Sequence, residues 1–502
     1  MKKNILNTLL ASLFILVFSC EKQINEPEKP VIEQEFIVTD ADEINYFIWK
    51  GLNLYYLWQD DVPTLADNRF SDFEDLYTYF RRYNSPESTF NSLLNQPGTI
   101  DRFSWIVDDY VELENSFQGI RLTNGMEFKL YTYKGNDTNV YGVVYYVVPG
   151  SDAENKGVLR GMVFNGIDGT QITTTNFRTL LFGTNTSYTV NLANFNAGNP
   201  TVNGTTINLT KEEFQENPVA ITKTFNEGTN KIGYLLYNQF ASSFDAQLNA
   251  AFATFQSENI TDLIIDLRYN GGGSVRTATY LASMINGTNT GKLFSQEFWN
   301  EKVMKATNPA LFLNNFTDQI VNTDNNGTII LNEPINSLSL QKVFFIVTND
   351  TASASELVIN GMSAYIDVNL VGTNTVGKQV GSITIYDSDN YRRNGLNLNP
   401  NHTYAIQPIV LEIKNANGEN NPNGYIPNIE FAEDFGRDDD TINLGVLGEK
   451  SDPLLDRTIT FITTGGKYLL GKSSFSFEEK PMLDSKIMQP FSQEMYVENF
   501  KK

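Results

Sequence analysis

Between residues 231 and 365, short apolar runs alternate with longer stretches of mixed character, and this alternation narrows the possible folds more than any other feature of the chain. Residues 232–237, 263–267 and 343–347 have the length and apolar density of buried strands. The stretches that follow, through Phe255, through Ile285 and over residues 355–365, have the length of helices. Strand and helix in turn predict a largely parallel sheet with helices packed on it. The carboxyl ends of such strands open on one crevice, where side chains and backbone amides converge. Earlier in the chain the pattern differs. Ile44, Phe47, Ile48, Leu52, Tyr55 and Tyr56 recur at spacings of three and four, as do Phe73, Leu76, Tyr77 and Phe80, which predicts a small helical region. After Asn115, alternating runs such as 127–131 and 141–148, broken by Gly and Asn, predict strands. The fold class expected is therefore multidomain α/β.

Composition removes several kinds of chemistry. Acidic residues outnumber basic ones, 59 to 37, giving a formal charge of -22 that repels phosphate backbones, so nucleic acid is not an expected partner. One Cys (Cys20) and one His (His402) cannot form a Cys/His metal cluster or an internal disulfide. No metal or cofactor is expected, and the chemistry must rest on Ser, Thr, Lys, Tyr or carboxylates. His402 follows Asn399-Pro400-Asn401 and reads as a loop histidine. The acidic stretch 432–440 reads as a solvated loop, with calcium binding as the alternative.

Lys2 and Lys3 precede an apolar run over residues 9–18 that is shorter than the roughly 20 residues a membrane-spanning helix needs. It ends in Leu16-Val17-Phe18-Ser19-Cys20, which resembles the lipobox of bacterial lipoproteins, in which the Cys is lipidated. Residues 1–19 are expected to be a signal peptide and residues 20–37 a polar tether. The chain is then an extracytoplasmic protein held to a bacterial membrane by a lipid on Cys20.

Two glycine motifs compete for attention. Residues 372–378, Gly-Thr-Asn-Thr-Val-Gly-Lys, fit the spacing of a phosphate-binding loop, but Gln379 stands where Ser or Thr would hold magnesium, and residues 380–386 favour a strand over the helix that such a loop requires. The other constellation is Asp266-Leu267-Arg268-Tyr269-Asn270-Gly271-Gly272-Gly273, then Thr351-Ala352-Ser353-Ala354-Ser355-Glu356, then Gly377-Lys378. Each part sits where a buried strand should end. Ser353 falls at the turn into a helix, whose positive end and amides can stabilise an oxyanion. A lysine desolvated in an apolar pocket loses its proton near neutral pH and can deprotonate a serine hydroxyl, which makes Lys378 a candidate base.

Together these residues resemble the carboxyl-terminal processing peptidases, or tail-specific proteases, a family of serine peptidases with a Ser-Lys dyad. Residues 148–154 with Gly157, residues 160–163 and residues 167–169 further resemble the middle of a bacterial PDZ domain. The resemblance implies a crotonase- and Clp-protease-like α/β peptidase core over residues 215–470. It implies an inserted β-rich PDZ-like domain over 115–214, a helical N-terminal domain over 38–114 and a tail over 471–502. It puts the nucleophile on Ser353 and the base on Lys378, and the oxyanion-hole amides on Gly272, or alternatively Gly271, with Ala354. Many members carry Gln four residues after the lysine to position it. Here that residue is Ser382, so support of Lys378 is expected from Ser382 or from Gln379. At the PDZ-like entrance Gln118, Gly119 and Ile120 stand where a loop would receive a substrate carboxylate, and Arg121 departs from the usual Gly. The function implied is an endopeptidase cutting C-terminal or unfolded segments of polypeptide substrates. The alternative is an inactive surface lipoprotein that binds peptides or another ligand in the same cleft.

Overall fold

A computed structural model describes residues 36–436, 441–466, 481–488 and 492–498. The expected signal peptide, Cys20 and most of the tether lie outside the described residues. The described residues from Asp40 onward form one compact unit.

The centre is a six-stranded sheet in the order Val219–Glu227, Asn230–Tyr237, Asp262–Asp266, Lys342–Val347, Asp367–Gly372, Ile429–Glu430. Its first pair is antiparallel and every later pair parallel. The continuous apolar runs follow from burial on both faces, because successive side chains of a strand point opposite ways. Leu235, Tyr237, Leu263, Ile265, Phe345 and Val347 enter one core with the helices Asp245–Glu258, Val275–Ile285 and Ala354–Ser363. Tyr234, Leu236, Ile264, Phe344 and Ile346 enter another, closed by the helix Pro453–Thr464. The helices Asp40–Tyr55, Phe73–Phe80 and Pro86–Ser92 join the first core through Phe47, Ile48, Leu52, Phe80 and Phe90.

Beside this layer stands a second six-stranded sheet, Gly273–Ser274, Met495–Tyr496, Val380–Ser382, Ile409–Asn415, Leu293–Trp299, Leu313–Asn315. A third, antiparallel sheet runs Leu483–Asp484, Met126–Tyr133, Asn136–Val147, Val163–Ile167, Ser187–Asn194, Thr201–Thr210, with Thr170–Gln171 paired to Val163–Ile167, and it encloses its own core around Phe128, Val144 and Phe164. One finding differs from the sequence reading and one agrees with it. Residues 471–502, expected as a tail, carry one strand of the antiparallel sheet and one of the sheet beside the parallel layer. Residues 372–378 open no helix: the chain leaves Gly372 and continues into the strand Val380–Ser382.

A buried Ser353 and Lys378 behind a glycine loop

The strands Asp262–Asp266, Lys342–Val347 and Asp367–Gly372 end side by side, and the loops beyond them lock together. Asn270 is the hub of the first two. Its carbonyl accepts from Ala352 N (3.2 Å) and Ser355 Oγ (3.0 Å), its Nδ2 donates to Tyr237 O (2.9 Å), and its Oδ1 accepts from Gly272 N (2.9 Å). Thr351 Oγ1 donates to Leu267 O (2.9 Å), fixing the turn just before Ser353.

Ser353 is buried and has φ +64°, ψ −117°, a conformation costly for any residue with a Cβ. The strain is held by Glu356, three residues on in the first turn of the helix. Its Oε2 accepts from Ser353 N (2.9 Å) and Lys378 N (2.8 Å), and its Oε1 from Gly377 N (2.7 Å) and Thr375 Oγ1 (2.5 Å). One buried carboxylate therefore sets the spacing between the serine loop and the lysine loop. Sequence reasoning quoted Glu356 without giving it a role, although Ser-x-x-Glu before an apolar helix is a recognisable capping signature. Ser353 Oγ has no hydrogen-bond partner among the described residues. A buried hydroxyl left unpaired is costly, so where one persists it calls for an explanation.

Lys378 is buried as well, 1% exposed. Burial lowers its pKa from the ordinary 10.5, and the Glu494 carboxylate pulls the other way. Its Nζ donates to Gln493 O (2.6 Å), lies 3.4 Å from Glu494 Oε2, and sits 4.8 Å from the ring centroid of Phe103. Gln493, Glu494 and Phe103 were not foreseen.

Gly272 packs against the serine: a Cβ there would lie 2.7 Å from Ser353 Cβ and 3.0 Å from Ala354 N, and its φ of +116° suits glycine. A Cβ on Gly271 would overlap the Ser492 carbonyl. Ser382 reaches Lys378 indirectly, its Oγ bonded to Glu494 Oε1 and accepting from Gln407 Nε2 (2.9 Å). Gln379 is half-buried, with its carbonyl accepting from Ile413 N (3.0 Å).

A cavity of about 570 Å³ runs from Gly119 and Ile120 to Gly271, Gly272 and Gly273. The amides expected to receive a carboxylate there are partly committed, since Gln118 N and Gly119 N donate to Asn115 O and Ser116 O (both 3.0 Å). Arg121 is held by Glu127 (2.7 Å) and Glu216 (3.3 Å). His402 pairs with Asp387 at 3.0 Å. The acidic stretch needs a correction. Glu433 is a buried anchor rather than a solvated side chain: burial would raise it, but Arg160 and Arg268 outweigh that and bring its pKa down to about 2. Residues 437–440 of that stretch lie outside the described residues.

Residues 231–399 match the family Peptidase family S41, and residues 43–105 match the Peptidase S41 N-terminal domain. The Arabidopsis thaliana protein Carboxyl-terminal-processing peptidase 2, chloroplastic, is 28% identical over 243 residues, 47% of this chain and 41% of that protein. The C-terminal processing peptidase, chloroplastic, of Tetradesmus obliquus is 28% identical over 155 residues, 28% of this chain and 33% of its own. The chain thus spans about two fifths or less of the length of these relatives. A crystal structure of a Bacteroides fragilis protein assigned to the S41 proteases superposes over 83% of this chain and 97% of its own, with a TM-score of 0.63 at 23% identity, a likeness of fold.

Proposed function

From the premise that this chain carries peptidase family S41 domains, we propose that it is a serine endopeptidase acting through a Ser353–Lys378 dyad. The observation that carries this reading is the unpaired, buried Ser353 Oγ on a strained residue at a helix start, tied through one carboxylate to a buried lysine. The neutral Lys378 amine takes the proton of Ser353 as Oγ attacks a substrate carbonyl. The amides of Ala354 and of Gly272 or Gly271 receive the oxyanion, the Gly272 N–H turning from Asn270 to do so. Lys378 then passes the proton to the departing amine, and water resolves the acyl-enzyme. Ser382 acts on the base through Glu494.

The reading extends to substrate and place. The antiparallel sheet of residues 126–210 is taken as the PDZ-like domain and the two six-stranded sheets as the crotonase-like core. An unfolded or C-terminal segment would lie in the cavity leading from Gly119 to Gly271, its carboxyl end at residues 118–120. A C-terminally amidated peptide should then be cut more slowly than the free acid. Cys20 would carry a lipid that holds the enzyme outside the cytoplasm, and radiolabelled palmitate incorporated by the chain but not by Cys20→Ala would support the anchor. For the activity itself, casein degradation by the purified chain that disappears in Ser353→Ala is the expected result; equal degradation by both would end the dyad reading.

A further inference from the structure

Residues 492–498 run through the cleft that a substrate would need. Met495–Tyr496 is a strand lying between Gly273–Ser274 and Val380–Ser382, parallel to both, with Gly273 opposite Met495 and Ser382 opposite Tyr496. The ladder is made by Gly273 N to Glu494 O (2.6 Å) and Val497 N to Ser382 O (3.0 Å). Side chains reinforce it. Met495 is fully buried, Tyr496 stacks on Phe117 with centroids 4.2 Å apart, and Glu498 pairs with Arg276 at 2.5 Å.

This strand also divides the accessible space. Glu494 and Tyr496 line the 570 Å³ cavity, while Tyr496, Val497 and Glu498 line a second cavity of about 440 Å³ on the other side, beside Arg276 and Ile383. Neither cavity is lined by Ser353 or Lys378. The same segment holds the base: Gln493 O and Glu494 Oε2 receive Lys378 Nζ, while Ser353 Oγ is left without a partner. An amine engaged by that carbonyl and carboxylate is not placed to take the serine proton.

We propose that residues 492–498 are an intramolecular latch that fills the substrate's strand position, and that an incoming polypeptide must displace them before it is cut. Displacement joins the two cavities into one channel past Ser353 and frees Lys378 to turn to the hydroxyl. The latch also describes the peptide that the cleft takes: an extended segment with an apolar residue followed by an aromatic one, seated where Met495 and Tyr496 now lie. The proposal rests on the serine-peptidase reading.

The test uses the full chain with Tyr496→Asp, which removes the Phe117 stacking and adds a carboxylate beside Glu498, and with Glu494→Gln, which removes a charge with little change of shape. Fluorescent casein turnover should rise at least about tenfold in Tyr496→Asp and severalfold in Glu494→Gln. In a Ser353→Ala background Tyr496→Asp should bind casein more tightly by a similar factor, and the peptide Ser-Gln-Glu-Met-Tyr-Val-Glu should compete. Wild-type turnover equal to or above that of both folded variants would overturn the latch and make the strand part of the working site. Should Tyr496→Asp not fold, the sign of the change in Glu494→Gln decides alone. If the peptidase reading fails instead, no chain cuts casein, yet Tyr496→Asp/Ser353→Ala still binds casein and the heptapeptide more tightly than Ser353→Ala.

Discussion

Two buried charged clusters sit at the carboxyl ends of neighbouring strands, and they differ in how completely their polar atoms are paired. Around Arg268, every guanidinium nitrogen has an acidic partner: Asp266 at 2.7 and 2.9 Å, Asp452 at 2.8 and 3.1 Å, Glu433 at 3.2 Å. Glu433 in turn accepts from Arg160 (2.6 Å) and the Tyr269 hydroxyl (2.6 Å), and the Arg268 carbonyl accepts from Thr348 Oγ1. Around Lys378 the cation has one carbonyl and one more distant carboxylate, and the hydroxyl it would serve has nothing. Burial is common to both, so burial alone does not tell them apart; what differs is that Arg268 is ringed by three carboxylates while Lys378 Nζ faces one and the Ser353 hydroxyl has no partner.

The comparison is broken most directly by substitution. Ser353→Ala and Lys378→Ala should each lower casein turnover, measured in a Tyr496→Asp background, by more than about a thousandfold. Lys378→Arg should be as damaging, since guanidinium keeps its proton. Ser353→Ala should leave the urea midpoint nearly unchanged, because it removes a hydroxyl that forms no bond. Arg268→Ala should do the reverse: it strands Asp266, Asp452 and Glu433 in the interior and should cost about 3–5 kcal/mol in urea denaturation. Arg268→Ala folding as stably as wild type would remove the distinction drawn here.

What the sequence revealed divides along the same line. The parallel strands were legible because residues buried on both faces form unbroken apolar runs, whereas Ser353 and Lys378 were singled out through the resemblance to the processing peptidases. Glu356 was within reach, as its spacing from Ser353 is local. Glu494 was not, since it lies 116 residues from Lys378 and is delivered by a strand of two residues that has no periodicity to detect. The same distance hid Glu433: in a run of acidic residues it looks solvated, and the arginines that bury it lie 273 and 165 residues away.

Titration should separate the clusters further. Lys378 has a pKa below 10.5 because it is buried, so the fraction of neutral base, and with it turnover, should climb about tenfold per pH unit until that pKa is passed and then level off. The Arg268 cluster should be indifferent over that range. Glu433 has its pKa depressed from 4.5 to about 2, so between those values the unfolded chain binds more protons than the folded one, and stability is lost as pH falls through that window. A pH–rate profile and urea midpoints on the same protein would therefore move in different windows. A single shared window would mean that activity merely follows folding.

The smallest expected effect belongs to Ser382. Its hydroxyl touches Glu494, lies 3.1 Å from Met495 O and accepts from Gln407, so it anchors the carboxylate that Lys378 Nζ faces, and it makes no hydrogen bond to the lysine itself. Removing the hydroxyl takes away its contacts to Glu494 Oε1 and Met495 O and the bond it accepts from Gln407, two of them to the latch, so Ser382→Ala should raise turnover by about two- to tenfold. The effect depends on the charge at position 494. In a Glu494→Gln background, where the lysine is already released, Ser382→Ala should be nearly silent, and the double-mutant cycle should show coupling between the two positions. A serine that oriented the base directly would behave in the opposite way, lowering turnover by the same factor whether residue 494 is Glu or Gln. Gln379→Ala provides the control: Gln379 is only half-buried, just before the strand Val380–Ser382, and a loss of turnover confined to it would move the support of Lys378 from the Glu494 side to Gln379.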